Sequence, residues 1–332
     1  MQILRSVLEP GRTLTAAAET GVSWNLPVNP LSAVLVTLKA LNNTATITNY
    51  AALAAFFAKL TKLRTAYRGA SIHDGDSLDL AMMAGILSKW WWKQGQINDT
   101  DNDVRSLTFP LLFGRKYCDP KQCFPATRNG DFKLYMDTAA DPTGLDNFTI
   151  AIETVELLDA SPESFLKLTT NGKTFQSGEA NEIELPIGNK LLGCLLRGAT
   201  YPTGASFNAS FSKVALEVDN VEVMISATQW ETLQGEIGRL APDSIAYPAH
   251  VHTENTAAAY AQNASTLGGR VDIALLQQYG YLDFDPREDE SYALDTKGAA
   301  KVNLAITSDV ADASASYVMT VEKVDTGTQA AA

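Results

Sequence analysis

Short segments of alternating hydrophobicity, turn residues between them and one long internal repeat predict an all-β chain. The fold class is two consecutive antiparallel jelly-roll β-sandwiches (a double jelly roll), residues 1–160 and 161–332, with short helices in the loops. FKLYMD, FTIAIETVEL, KVNLAIT and SYVMTVEKV are the clearest strands, each bounded by Gly, Pro, Asn or Asp. The regular strand–helix alternation that builds parallel sheets is missing. A length of 332 residues suits two units better than one.

In chain order, PGRTL from Pro10 is answered by NGKTF from Asn171, which sets Gly11 against Gly172. SWNLPVNPLSAVLVTLKA from Ser23 is answered by IELPIGNKLLGCLLRGA from Ile183. Each runs Leu-Pro, a small turn, an apolar strand and a basic residue near Ala, with Leu26 against Leu185. The Ala-rich stretch from Thr48 to Leu60 predicts a helix over the core, in the first unit only. KLRTAYRGASI from Lys62 and KVALEVDNVEV from Lys213 both read as a hairpin, with turns at Arg68-Gly69 and Asp219-Asn220.

A helix follows each hairpin. Asp76 or Ser77 is the expected N-cap of the first, and Thr228 with Glu231 spells a capping box at the second. LTF from Leu107 then matches LDF from Leu282, and FKLYMDTAAD from Phe132 matches VNLAITSDVA from Val302. Last, FTIAIETVEL from Phe148 matches YVMTVEKV from Tyr317, setting Ile150, Ile152 and Val155 against Met319, Val321 and Val324. The constant order of these matches is what argues for duplication. The second unit has an extra polar stretch, PAHVHTENTAAAYAQNASTLGG, predicted to be a long excursion loop.

Composition narrows the function. A hydrophobic fraction of 45% and a charged fraction of 19% are those of a folded chain. A net charge of −12 with no basic cluster argues against direct nucleic-acid binding. Three cysteines, Cys118, Cys123 and Cys194, form no disulfide framework and fit a reducing compartment. MQILRSVLEPGRTL has no secretory apolar core, and the most apolar window, Tyr50 to Leu60, is far short of the ~20 residues that span a bilayer.

Few residues suggest chemistry. His250 and His252 with Glu254 resemble the start of a cupin metal site, but His73 is the only other histidine, and a solvated loop is the reading. Cys118 and Cys123 lack the two further ligands a zinc site needs. The acidic runs Asn98–Asp103 and Asp283–Glu290 lack calcium-loop spacing and read as solvated turns. No nucleophile elbow, phosphate loop or His-Glu-x-x-His occurs, so no catalytic, cofactor-binding or metal residue is assigned. Trp90, Trp91 and Trp92 cannot all turn to one face of a helix or strand. At least one ring is expected to meet a partner subunit, a neighbouring loop or a membrane interface, which makes the three a candidate interface.

The layout of KLRTAYRGASIHDGDSLDL, RSLTFPLLFG and FPATRNGDFKLYMDTA, with a second round in NEIELPIGNKLLGCLLRGA and FSKVALEVDNVEVMISATQWETL, carries a family resemblance. It resembles the double jelly-roll major capsid proteins of tailless icosahedral, membrane-containing bacteriophages, the adenovirus-type capsid lineage. The resemblance implies a structural protein without enzymatic activity or cofactor. It implies homotrimers that serve as pseudo-hexameric capsomers and build an icosahedral shell around a membrane. The implied partners are other copies, other capsid proteins such as a penton protein, and the viral membrane, but not the nucleic acid. The implied location is the virion capsid, assembled in the host cytoplasm, with the loop near His250 as a tower or clasp. The alternative is a two-jelly-roll carbohydrate-active or amidase-type enzyme, which needs a junction cleft with clustered Asp, Glu and aromatic residues. A bicupin-like metalloprotein is argued against by the missing histidines.

Overall fold

A computed structural model describes residues 2–43, 55–91, 93–96, 101–178, 180–200, 209–240, 278–312 and 314–329. His250, His252, Glu254 and the excursion loop around them, Trp92, residues 98–100 of the first acidic run and most of the Ala-rich stretch lie outside the described residues; residues 55–59 of that stretch are helical.

Three sheets form. The first has the order β1 (Gln2–Thr13), β9 (Leu145–Leu158), β3 (Leu31–Asn42), β7 (Val104–Leu112) and β6 (Lys93–Gln96). The third has β11 (Ala180–Glu184), β18 (Val302–Thr307), β13 (Lys213–Val218) and β14 (Val221–Glu222), with β15 (Thr228–Gln229) also on β13. The middle sheet runs β16 (Tyr279–Asp283), β12 (Lys190–Arg197), β19 (Ser316–Asp325), β10 (Ser164–Lys173), β5 (Ala70–Asp76), β4 (Leu60–Tyr67), β8 (Phe132–Thr138) and β2 (Glu19–Asn25), with β17 (Leu294–Asp295) on β12. One strand order is therefore used twice: β1-β9-β3-β7 facing β2-β8-β4-β5, then β10-β19-β12-β16 facing β11-β18-β13-β14. The middle sheet joins half of one sandwich to half of the other.

Local sequence accounts for these elements. In β8 the inward residues Phe132, Leu134 and Met136 are buried and alternate with half-buried Lys133, Tyr135 and Asp137. β3 reads as an unbroken apolar run because both its faces are covered. Val34, Val36 and Leu38 enter the main core, while Ala33 and Leu35 pack with Ala84, Leu112 and Val155 on the other side. The helix Ser77–Ser88 is apolar all round and buried from Asp79 to Leu87, whereas Trp230–Leu240 buries only the stripe Trp230, Leu233 and Ile237. Both predicted hairpin turns have positive φ at their two central residues, Arg68 and Gly69 at 49° and 89°, Asp219 and Asn220 at 51° and 64°. That is the primed turn whose twist suits a two-residue hairpin.

Backbone hydrogen bonds recur in pairs and test the alignment. Leu26 N donates to Phe132 O (2.9 Å) and Leu185 N to Val302 O (2.8 Å). Arg68 N donates to Asp131 O (2.8 Å) and Asp219 N to Lys301 O (2.9 Å). These agree with the sequence matches. Two other matches need correcting. Phe113 N donates to Ser32 O and Phe284 N to Leu192 O, both at 3.0 Å, so the counterpart of LDF is Leu111–Phe113 and not Leu107–Phe109. Buried Glu156 accepts from Asn29 Nδ2 (2.6 Å) and buried Glu322 from Asn189 Nδ2 (2.8 Å). Val155 therefore corresponds to Val321 rather than Val324. The predicted capping box is also absent: Thr228 pairs with Val214 in β15, and Trp230 N, at the start of the helix, donates to Ser212 O (3.0 Å). Asp76 is the N-cap of the first helix, without a side-chain cap bond.

Candidate functional site

The site that the fold builds is the joint between its two halves. β10 lies parallel to β5, with Leu168 opposite His73 and Thr169 opposite Asp74. His73 is fully buried; its Nε2 donates to Leu112 O (3.0 Å), its Nδ1 accepts from the Thr65 hydroxyl (3.1 Å), and its ring lies 4.6 Å from that of Phe113. Burial without an acidic partner lowers its pKa to about 4, so the ring is neutral.

Two arginines lock the joint. Arg197, at the end of β12, reaches Asp76 with Nη2 and Asp79 Oδ1 with Nη1 (3.2 Å), and it stacks over Tyr317 at 4.4 Å. The Tyr279 hydroxyl donates to the same oxygen, Asp79 Oδ1. Burial pushes Asp79 up to about 6, opposed by Arg197 and by the tyrosine. Arg115, just beyond β7, pairs with Asp285, just beyond β16, and its Nη2 also donates to Asp285 O (3.2 Å). Asp285 is fully buried.

The two titrations pull in opposite directions. His73 keeps its neutral form from its ordinary 6.5 down to about 4, so the stability it supports is complete above pH 6.5 and is lost as pH falls to 4. Asp79 is raised from 3.8 to about 6, so its burial cost is present above pH 6 and is relieved as pH falls to 4. Each amounts to about 3 kcal/mol at 1.36 kcal/mol per unit. Between pH 6.5 and 4, Asp79→Asn is expected to lose about 3 kcal/mol more than the unsubstituted chain, and His73→Gln about 3 kcal/mol less. Urea unfolding at stepped pH reads both; three parallel profiles would sink the assignment.

No family model matches the chain, and no curated protein does. Solved structures do. The STIV MCP is 15% identical at a TM-score of 0.65, covering 100% of this chain and 99% of that one. An atomic structure of Sulfolobus Turreted Icosahedral Virus matches at 15% identity and TM-score 0.67, covering 98% and 92%. The major capsid protein from Bacteriophage PM2 matches at 10% identity and TM-score 0.58, covering 97% and 98%. The chain is a double jelly roll.

Within this double jelly roll the residues singled out by sequence take different positions. Trp91 is buried inside the main core, stacked so closely on the helix that a Cβ at Gly85 would lie 2.6 Å from it. Trp90 is half-buried, edge-on to Tyr117 with ring centres 5.1 Å apart. A neighbouring loop thus meets one ring of the run and the core another. Cys118 and Cys123 are free thiols, and burial raises Cys123 to about 12. Among the described residues no three His, Cys, Asp or Glu side chains gather as metal ligands, and no helix is long and apolar enough to cross a membrane. In the second acidic run, Asp285 is tied to Arg115, Glu290 to Lys323 and Lys190, and Asp289 to Ser291. Asp285 is fully buried, so at that position the run is not the solvated turn expected from sequence.

The junction has a cavity of about 110 Å³ lined by Lys89, Arg115, Arg239, Tyr281, Asp283 and Glu288. A glycan cleft needs roughly 300 Å³ or more and stacked aromatics. This cavity has one tyrosine, three cations and two carboxylates, Asp283 and Glu288. Sequence reasoning did not find Arg115, Asp285, Arg197 or Tyr279; the signal that existed was Asp79, a lone acid inside an otherwise apolar helix.

Proposed function

We propose that this chain is the major capsid protein of a tailless icosahedral virus such as a bacteriophage, a structural protein and not an enzyme. The observation that carries the reading is the duplicated sandwich fused along one sheet. Two units, 1–160 and 161–332, are locked by buried ion pairs into one body, and solved capsid proteins share that architecture over nearly the whole chain. Two similar modules joined through one sheet are suited to tiling a surface; the small charged cavity at their junction is poorly suited to binding a polymer substrate.

In this reading three copies form a pseudo-hexameric capsomer, and capsomers meet one another and a penton protein in a shell assembled in the host cytoplasm around a membrane. The acidic charge of −12 suits a shell that does not hold the genome directly. Of the tryptophan run, Trp90 keeps ring surface for a subunit contact, whereas Trp91 is already covered within the chain. Light scattering of the purified native protein, with electron microscopy of the same sample, tests the reading. A mass near three times 35.8 kDa with hexagonal particles is expected, and a stable single chain would overturn it.

A further inference from the structure

The strands that fuse the two units inside the chain have counterparts whose outer edges carry no strand among the described residues. β10 carries β5 on its outer edge, while its counterpart β1 ends the first sheet. β5 carries β10, while its counterpart β14 ends the third sheet. We propose that the open edge of β1 receives the β14 segment of a second copy, parallel, as β10 receives β5 within the chain. The same joint then alternates within and between chains. This deepens the capsid reading and rests on it for the closure of the ring at three copies.

The register carries over from the repeat. The Asn29–Glu156 and Asn189–Glu322 bonds equate Val155 with Val321. Arg5, opposite Val155, is therefore the counterpart of Leu168, opposite Val321. The hairpins share their register at the turn, Ala66 opposite Ser71 and Glu217 opposite Glu222. Beyond it the first bulges so that His73 faces Thr65. Met224, in a bend just past β14 with φ 58°, lies between the Val223 N–Leu216 O and Leu216 N–Ile225 O bonds, which equates His73 with Met224. Leu168 against His73 inside the chain thus places Arg5 of one copy against Met224 of the next, and Thr169 against Asp74 places Ser6 against Ile225.

The surfaces fit this partner. Nine large apolar side chains are exposed among the described residues, and five lie on these two edges: Ile3, Leu4 and Val7 beside Arg5, and Val221 and Met224 on the other segment. Val7 is 63% exposed and Met224 55%. A twelve-residue edge strand with apolar side chains invites uncontrolled pairing unless something covers it. Charge agrees as well, since Arg5 would face a hairpin carrying Glu217, Asp219 and Glu222. The complementary edge is on the same molecule, so a second copy in head-to-tail contact is the occupant.

Paired cysteines in the full chain test the joint, with Cys118→Ser removing the partly exposed native thiol. Arg5→Cys with Met224→Cys, and Val7→Cys with Met224→Cys, are oxidised or treated with a short bismaleimide, and light scattering is run on the same samples. Covalent dimers and trimers from the pairs, but not from the single variants, are expected. A trimeric mass without cross-linking in either pair overturns the joint and leaves the capsid reading standing. Covalent dimers from Met224→Cys alone overturn it in favour of a two-fold contact. A single-chain mass overturns the capsid reading and the joint with it.

Discussion

Asp285→Ala is expected to destabilise the protein by about 3–5 kcal/mol, because it strands a buried guanidinium. Asp285 is fully buried and Arg115 nearly so, and they join loops that follow corresponding strands of the two units. Arg115 Nε is buried without a hydrogen-bond partner, so the carboxylate of Asp285 is what balances that charge. Arg115→Ala is expected to cost less. The abandoned carboxylate still accepts from Glu290 N (2.9 Å), whereas the abandoned guanidinium loses its carboxylate and keeps its charge. Replacing both by apolar residues, Arg115→Met with Asp285→Leu, is expected to recover most of the loss, since a buried pair gains little over well-packed hydrophobes. Urea midpoints of the four proteins at pH 7 check the order. A loss below about 1 kcal/mol for Asp285→Ala would mean that water reaches the pair and screens it.

How far the sequence could be read depended on how each signal is written. The hairpins were legible because their turns demand positive φ and their strands alternate, and both constraints are local. The register of β7 was not. VRSLTFPLL is buried on both faces over its second half, so its apolar residues carry no phase, and LTF looked as good a partner for LDF as LLF did. The same ambiguity shifted FTIAIETVEL by three residues, although Thr-Val-Glu occurs in both copies and Glu156 and Glu322 turn out to hold corresponding asparagines, Asn29 and Asn189. The capping box failed because Thr228 has a second use as a strand residue against Val214. The joint was hidden for a different reason. Asp79 with Tyr279 and Arg115 with Asp285 meet only when the middle sheet fuses the units, and no local pattern encodes that event.

That fusion sets unequal fates for the two halves, and separating them is expected to have the largest effect of any change considered. Residues 1–160 expressed alone should fail to fold cooperatively. Their core is completed by Phe165, Leu166, Leu168, Met319 and Val321 from the other half, and Phe124 packs edge-on to Phe165 at 4.9 Å. Burial of such a side chain contributes about 1.5–3 kcal/mol, so losing five removes about 10 kcal/mol, comparable to the whole stability of a domain. Residues 161–332 keep a core of their own around Phe211, Trp230, Leu304 and Val318. That half should retain structure but present the bare edge of β10, and it should aggregate unless the first half is supplied. Circular dichroism melts of each half and of the co-expressed pair decide the matter. A sharp melt of residues 1–160 alone, at the temperature of the full chain, would show that the shared core is not what holds the first sandwich together.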